Sequence, residues 1–183
     1  MNRRGLLRQQ INDAWRAAIQ VDYCSQRIDS ERSLRASLWS QLNSILPPES
    51  RRMFIEPTLK AMAPTLDGKV AHEFRYQDIV ICNTREVIGI IEIKYLPRVK
   101  PNWTKDLQTF SWIHKHRDQI LIQNIRHRGA VADCHAYPLS EDVLFVWAGV
   151  HVPADLEISQ HIDQRLSKHF LALHAQTRDY CCG

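Results

Sequence analysis

The stretch GIIEIKYLP, residues 89–97, sets Glu92 and Lys94 two positions apart in a run that is otherwise apolar. Side chains alternate between the two faces of a strand. Ile88, Ile90, Glu92, Lys94 and Leu96 therefore share one face, and Val87, Gly89, Ile91, Ile93 and Tyr95 share the other. Charge is confined to one face and to its C-terminal part, whereas a solvated edge would spread charge along its exposed side. The reading that follows is a buried strand that carries charge for a reason.

The preceding segment, RYQDIVIC at residues 75–82, supplies a third charge in Asp78, just ahead of an apolar run. A hairpin with the three-residue loop Thr84-Arg85-Glu86 sets Asn83 opposite Val87. The same register sets Cys82 against Ile88, Val80 against Ile90, and Asp78 across from Glu92. A shift of one residue would carry Asp78 to the wrong face. Directly opposed residues have Cβ atoms about 4.5–5.5 Å apart, and like charges there repel. Two carboxylates so placed call for a compensating cation, and hard oxygen donors favour magnesium or manganese. Lys94 is then set to orient a water nucleophile or to stabilise charge on a phosphate oxygen.

Outward from this hairpin, the pattern alternates helices and strands. Leu7, Ile11, Trp15 and Ala18 recur at helical spacing. A second helix starts near Ser30, carries Leu34, Leu38, Leu42 and Ile45, and stops at PPES, residues 47–50. Strand character follows in MFIEPTL (53–59), HEFRYQDIVIC (72–82) and EVIGIIEIKYL (86–96). Asn102 is placed to cap a helix running to about residue 117, with Trp103, Leu107, Phe110 and His114 on one side. VLFVWAGVHV at 143–152 reads as a strand buried on both faces. Ile158, Ile162, Leu166, Phe170 and Leu173 predict a final helix. The order α-α-β-β-β-α-β-α predicts an α/β fold with a central sheet covered by helices. No repeat or linker divides residues 1–183, so one domain is expected.

Asp78 with IVI, followed by IIEIK and its Glu92-Ile93-Lys94, resembles the PD-(D/E)xK nuclease superfamily. The resemblance implies a restriction-endonuclease-like core, a mixed four-stranded sheet flanked by helices in the order α-β-β-β-α-β. It implies hydrolysis of phosphodiester bonds, in DNA before RNA, with Mg²⁺ or Mn²⁺. Asp78, Glu92 and the main-chain carbonyl of Ile93 would hold the metal, and Lys94 would complete the catalytic set. Gln77 stands where the name-giving proline would be. Such families often carry a further acid on the helix before the sheet, and Glu31 is the candidate. At about 100° per residue, Leu38 and Leu42 each fall roughly 20° from Glu31, which sets it along the core-facing stripe. Its first-turn position also suits the helix dipole. Arg98, Lys100, Lys105 and Gln108 follow the third strand and are candidate nucleic-acid contacts. QTFSW resembles a Gln-x-x-x-Tyr element, with Trp112 at the tyrosine position.

Composition narrows the field. A net charge of +4 permits an anionic partner without requiring one. No apolar run approaches the roughly 18 residues of a membrane span, and the first twenty residues lack a secretory core, so a cytoplasmic protein is expected. Five cysteines without CxxC spacing argue against a disulfide framework or structural zinc. The nine histidines, HKHR at 114–117 included, read as solvated. There is no Gly-rich phosphate loop, Ser-His-Asp arrangement or nucleotide fingerprint. The expected partner is nucleic acid, with no membrane; a homodimer is compatible with the sequence. The alternative is an inactive protein on the same fold, acting as a nucleic-acid-binding or assembly module.

Overall fold

The structure, a computed structural model, describes residues 3–62, 77–128, 131–154, 158 and 162–177. Helix α1 (Arg3–Ala17) continues into one π-helical turn, Ala18–Tyr23. Its buried residues Leu7, Ile11, Ala14, Trp15 and Ala18 form the expected stripe. Helix α2 (Glu31–Ile45) opens on a reciprocal cap, because the Ser30 side chain accepts from the Ser33 N–H while Ser33 Oγ accepts from the Ser30 N–H. It stops before Pro47, which cannot continue the ladder.

The expected first strand is cut in two. β1 (Arg52–Ile55) and β2 (Thr58–Ala61) are separated by Glu56, whose positive φ of 47° turns the chain. β3 (Ile79–Cys82) pairs antiparallel with β1 on one side and with β4 (Val87–Leu96) on the other. Residues 72–76 of the expected second strand lie outside the described residues. Helix α3 (Thr104–Lys115) then crosses to β5 (Ile120–Arg128) and to the 21-residue β6 (Val131–His151). The Asn102 side-chain Oδ1 accepts from the Thr104 N–H at 3.2 Å, one residue earlier than a regular cap.

β6 organises the sheet. Its first part pairs antiparallel with β5, which pairs with β2. Its second part runs parallel to β4, with Glu92 beside Trp147 and Lys94 beside Gly149. The expected burial of this second part on both faces holds: Leu144, Val146 and Ala148 join the α1/α2 core, while Val143, Phe145 and Trp147 join the α3 core. The protein is thus a mixed α/β fold whose sheet, among the described residues, has seven strands, with helices on both faces.

Three expectations are corrected. The final helix is limited to α4 (Gln164–Ser167), and Phe170 and Leu173 belong to β7 (Phe170–Gln176), parallel to β6. In β7, Leu171, Leu173 and Ala175 face the α1/α2 core while Phe170 and Ala172 face the other, a period of two that outweighs the helical spacing. The hairpin turn is not Thr84-Arg85-Glu86 but residues 83–86, closed by Asn83, whose side-chain oxygen accepts from the Arg85 and Glu86 N–H groups. A bulge between Ile81 and Cys82 then sets Cys82 against Val87 rather than Ile88, although Val80 faces Ile90 as expected. His114 is half-buried rather than fully solvated: its ring lies edge-on to Phe145 and 4.8 Å from His169. Cys24 and Cys82 are free thiols; the Cys181-Cys182 tail lies outside the described residues. Among the described residues, no helix is long and apolar enough to cross a membrane.

Gly149 marks the tightest packing on the α3 side, since a Cβ there would lie 2.3 Å from the Trp147 ring. Overpacking of a core usually costs about 1–3 kcal/mol. Gly149→Ala is expected to lower the urea-unfolding free energy by an amount in that range; an unchanged midpoint would show that Trp147 can move away.

Candidate active site

Four elements converge beside the C-terminal half of β4. β4 contributes Glu92, Ile93 and Lys94, the residue preceding β3 contributes Asp78, α2 contributes Arg35, and α3 contributes Asp106. The antiparallel ladder ends at Ile79 opposite Ile91, so Asp78 sits one residue beyond it. Its carboxylate takes up the slack: Oδ2 accepts from the Ile93 N–H at 2.7 Å, and Oδ1 accepts from Arg35 Nη1 at 2.9 Å. Arg35 also donates to Glu56 at 2.5 Å. Asp78 is thereby joined to the middle residue of the Glu-x-Lys tripeptide.

Lys94 Nζ donates to Glu92 Oε1 at 2.5 Å and lies 3.5 Å from Asp106 Oδ1. The other oxygen of Asp106 accepts from Trp147 Nε1 at 3.0 Å. Gln77, Glu92, Lys94, Asn102, Lys105 and Asp106 line a cleft of about 290 Å³, floored by Phe110.

The electrostatics favour added positive charge. Burial raises the Asp78 carboxyl above its ordinary value, and it outweighs the Ile93 N–H and Arg35. Burial likewise pushes Glu92 from 4.5 up to about 7; the charge of Asp78 acts the same way, and Lys94 opposes both. Burial disfavours the Lys94 ammonium, but Glu92 and Asp106 together hold its pKa above the usual lysine value. Glu92 and Asp106 therefore share Lys94, while Asp78 shares Arg35 with Glu56.

The donor set fits a divalent metal. The Asp78 and Glu92 carboxylates and the Ile93 carbonyl are hard oxygen donors, and burial raises both carboxyls. Among the described residues no three His, Cys, Asp or Glu side chains converge as a ready cage.

The other expected residues are placed less tightly. Glu31 is exposed rather than on the core-facing stripe of Leu34, Leu38 and Leu42, because it is the first residue of α2. Its charge still reaches Asp78 and Lys94. Lys105 lines the cleft. Gln108 lines an adjoining depression of about 620 Å³ with Asn102, Thr104 and Ser111. Arg98 and Lys100 are exposed beyond β4, and Trp112 stacks on His116 at 4.5 Å.

Sequence reasoning missed Arg35, Asp106 and Trp147. Asp106 did leave a signal: Leu107, Phe110 and Ile113 are buried in α3 and Trp103 is buried just ahead of it, and Asp106 falls among them at i+3 from Trp103. Arg35 left none, since a charged residue beside Leu34 is ordinary on an amphipathic helix. No family model, no curated protein and no solved structure matches this chain.

The raised Glu92 carboxyl fixes the sign of a pH effect. Between pH 4.5 and about 7 the folded protein retains a proton that the unfolded chain has released. Stability in the presence of a chelator should therefore fall as pH rises through that window and level off above it. Glu92→Gln should flatten this part of the urea-unfolding profile; an unaltered slope in the variant would assign the effect to another group.

Proposed function

We propose that this protein is a divalent-metal-dependent nuclease of the PD-(D/E)xK type, hydrolysing phosphodiester bonds in nucleic acid, DNA before RNA. The observation that carries the reading is the 2.7 Å hydrogen bond from the Ile93 N–H to Asp78, which gathers the lone acid and the Glu-x-Lys tripeptide into one cluster. Element order supports it. With β2, β5 and β7 taken as additions, α2, β1, β3, β4, α3 and β6 follow the order α-β-β-β-α-β, and the four strands among them are contiguous neighbours.

Mg²⁺ or Mn²⁺, held by Asp78, Glu92 and the Ile93 carbonyl, would supply Lewis-acid activation of water and neutralise phosphate charge. Lys94 orients the attacking water and stabilises charge developing on a phosphate oxygen, as a preorganised cation in a partly dehydrated site does. Arg35 holds Asp78 in place through its second oxygen. Glu31, exposed at the start of α2, adds negative charge that acts on Asp78 and Lys94. Lys105 on the cleft wall, with Arg98, Lys100 and Gln108 beyond it, contacts the nucleic-acid backbone and contributes affinity rather than chemistry.

One observation favours the second reading, an inactive nucleic-acid-binding or assembly module. Lys94 and Arg35 already answer Glu92 and Asp78 with ion pairs, as in a site whose charges serve structure alone.

Metal binding and cleavage by two variants separate the readings. Asp78→Asn should lose both Mn²⁺ binding and cleavage, because an anionic ligand is gone. Lys94→Ala should still bind Mn²⁺ yet cleave at least about a hundredfold more slowly, the scale of losing one charge-stabilising donor. Native-like unfolding must be shown first, since an unpaired buried charge can cost roughly 3–5 kcal/mol. Wild-type protein that cleaves no single- or double-stranded DNA or RNA with either metal would leave the binding module as the reading.

A further inference from the structure

Asp106 has no place in the Asp…Glu-x-Lys pattern, yet it is the most enclosed acid of the cleft, with a side chain only 9% exposed. A buried carboxylate is unfavourable unless its charge is answered. Its two oxygens are divided between different partners: Oδ2 accepts from Trp147 Nε1 at 3.0 Å, and Oδ1 faces Lys94 Nζ at 3.5 Å.

Trp147 fixes that arrangement. It is fully buried, meets Trp103 edge-on at 6.0 Å, and covers Gly149 so closely that a methyl group would not fit between them. Asp106 Oδ2 is thus tied to the packed centre of β6, which leaves Oδ1 facing Lys94. Lys94, at the end of a flexible four-carbon chain, is the movable member. Its ammonium now binds Glu92 Oε1, on the carboxylate that the nuclease reading gives to a metal. Two cations on one carboxylate repel each other.

We propose that Asp106, anchored by Trp147, is a positioning residue that receives the Lys94 ammonium when a divalent cation takes Glu92. The inference rests on the nuclease reading and adds the means by which the lysine stays in the cleft. Without Asp106 a displaced ammonium would turn outward to solvent, away from the water and the phosphate. With it, a small movement exchanges one carboxylate partner for another.

The test is a double-mutant cycle read by Mn²⁺ titration calorimetry on the full chain, with wild type, Asp106→Asn, Lys94→Ala and the double variant. Asparagine keeps an oxygen that accepts from Trp147, and the indole N–H signal in a ¹H–¹⁵N spectrum checks that the anchor survives. Asp106→Asn should weaken Mn²⁺ binding about tenfold when Lys94 is present and by little in the Lys94→Ala background, because coupled neighbours are non-additive. Trp147→Phe, which removes the N–H and keeps an aromatic ring, repeats the cycle if Asp106→Asn fails to fold. Equal losses in both backgrounds would mean that Asp106 acts on the metal directly, and no loss in either would mean that it takes no part; both overturn the proposal and leave the nuclease reading standing. Wild-type protein that binds no Mn²⁺ would overturn both.

Discussion

The hydrogen bond from the Ile93 N–H to Asp78 Oδ2 joins the residue ahead of β3 to the centre of the Glu92-Ile93-Lys94 tripeptide. It forms where the antiparallel ladder between β3 and β4 ends, so a side-chain oxygen continues the pairing after the backbone partners run out. The second oxygen of Asp78 reaches Arg35 and so brings α2 to the same point. On the far side of β4, parallel pairing with β6 sets Trp147 beside Glu92, and its indole holds Asp106 of α3. One short segment of β4 is thereby tied to both helical layers.

Such an arrangement is unfavourable for folding alone. Removing charges from water costs several kcal/mol per ion, and apolar residues of similar size often serve stability as well or better. Glu92 and Lys94 nevertheless occupy positions on a strand whose inward neighbours Ile90, Ile91 and Ile93 are fully buried. Burial raises the Asp78 and Glu92 carboxyls although Arg35 and Lys94 stand beside them. A further cation would oppose that shift, which links the electrostatics to the proposed chemistry.

The parts of this account that rest on short-range pattern were legible in the sequence. The stripe of Leu34, Leu38 and Leu42, the buried run from Val143 to Val150, and the pairing of Val80 with Ile90 all follow from periodicity and matched apolar faces. What periodicity cannot carry is pairing partners distant in sequence. Residues 120–128 and 131–142 alternate weakly, contain Pro138, and form strand because β6 is long enough to serve β5 and β4 in turn. Phe170 and Leu173 fit a helical spacing until β6 offers β7 an edge. The site divides in the same way: Asp78, Glu92 and Lys94 were visible in two adjacent segments, whereas Arg35 is 43 residues from Asp78 and Trp147 is 41 from Asp106, distances that only the fold closes.

The central claim is that the charges at the end of β4 form a cation site. A crystal structure grown with Mn²⁺ and read by anomalous scattering at the manganese edge tests it most directly. The account predicts an anomalous peak coordinated by carboxylate oxygens of both Asp78 and Glu92. Manganese bound elsewhere, or no peak while Arg35 and Lys94 keep their ion pairs to the two acids, would contradict it.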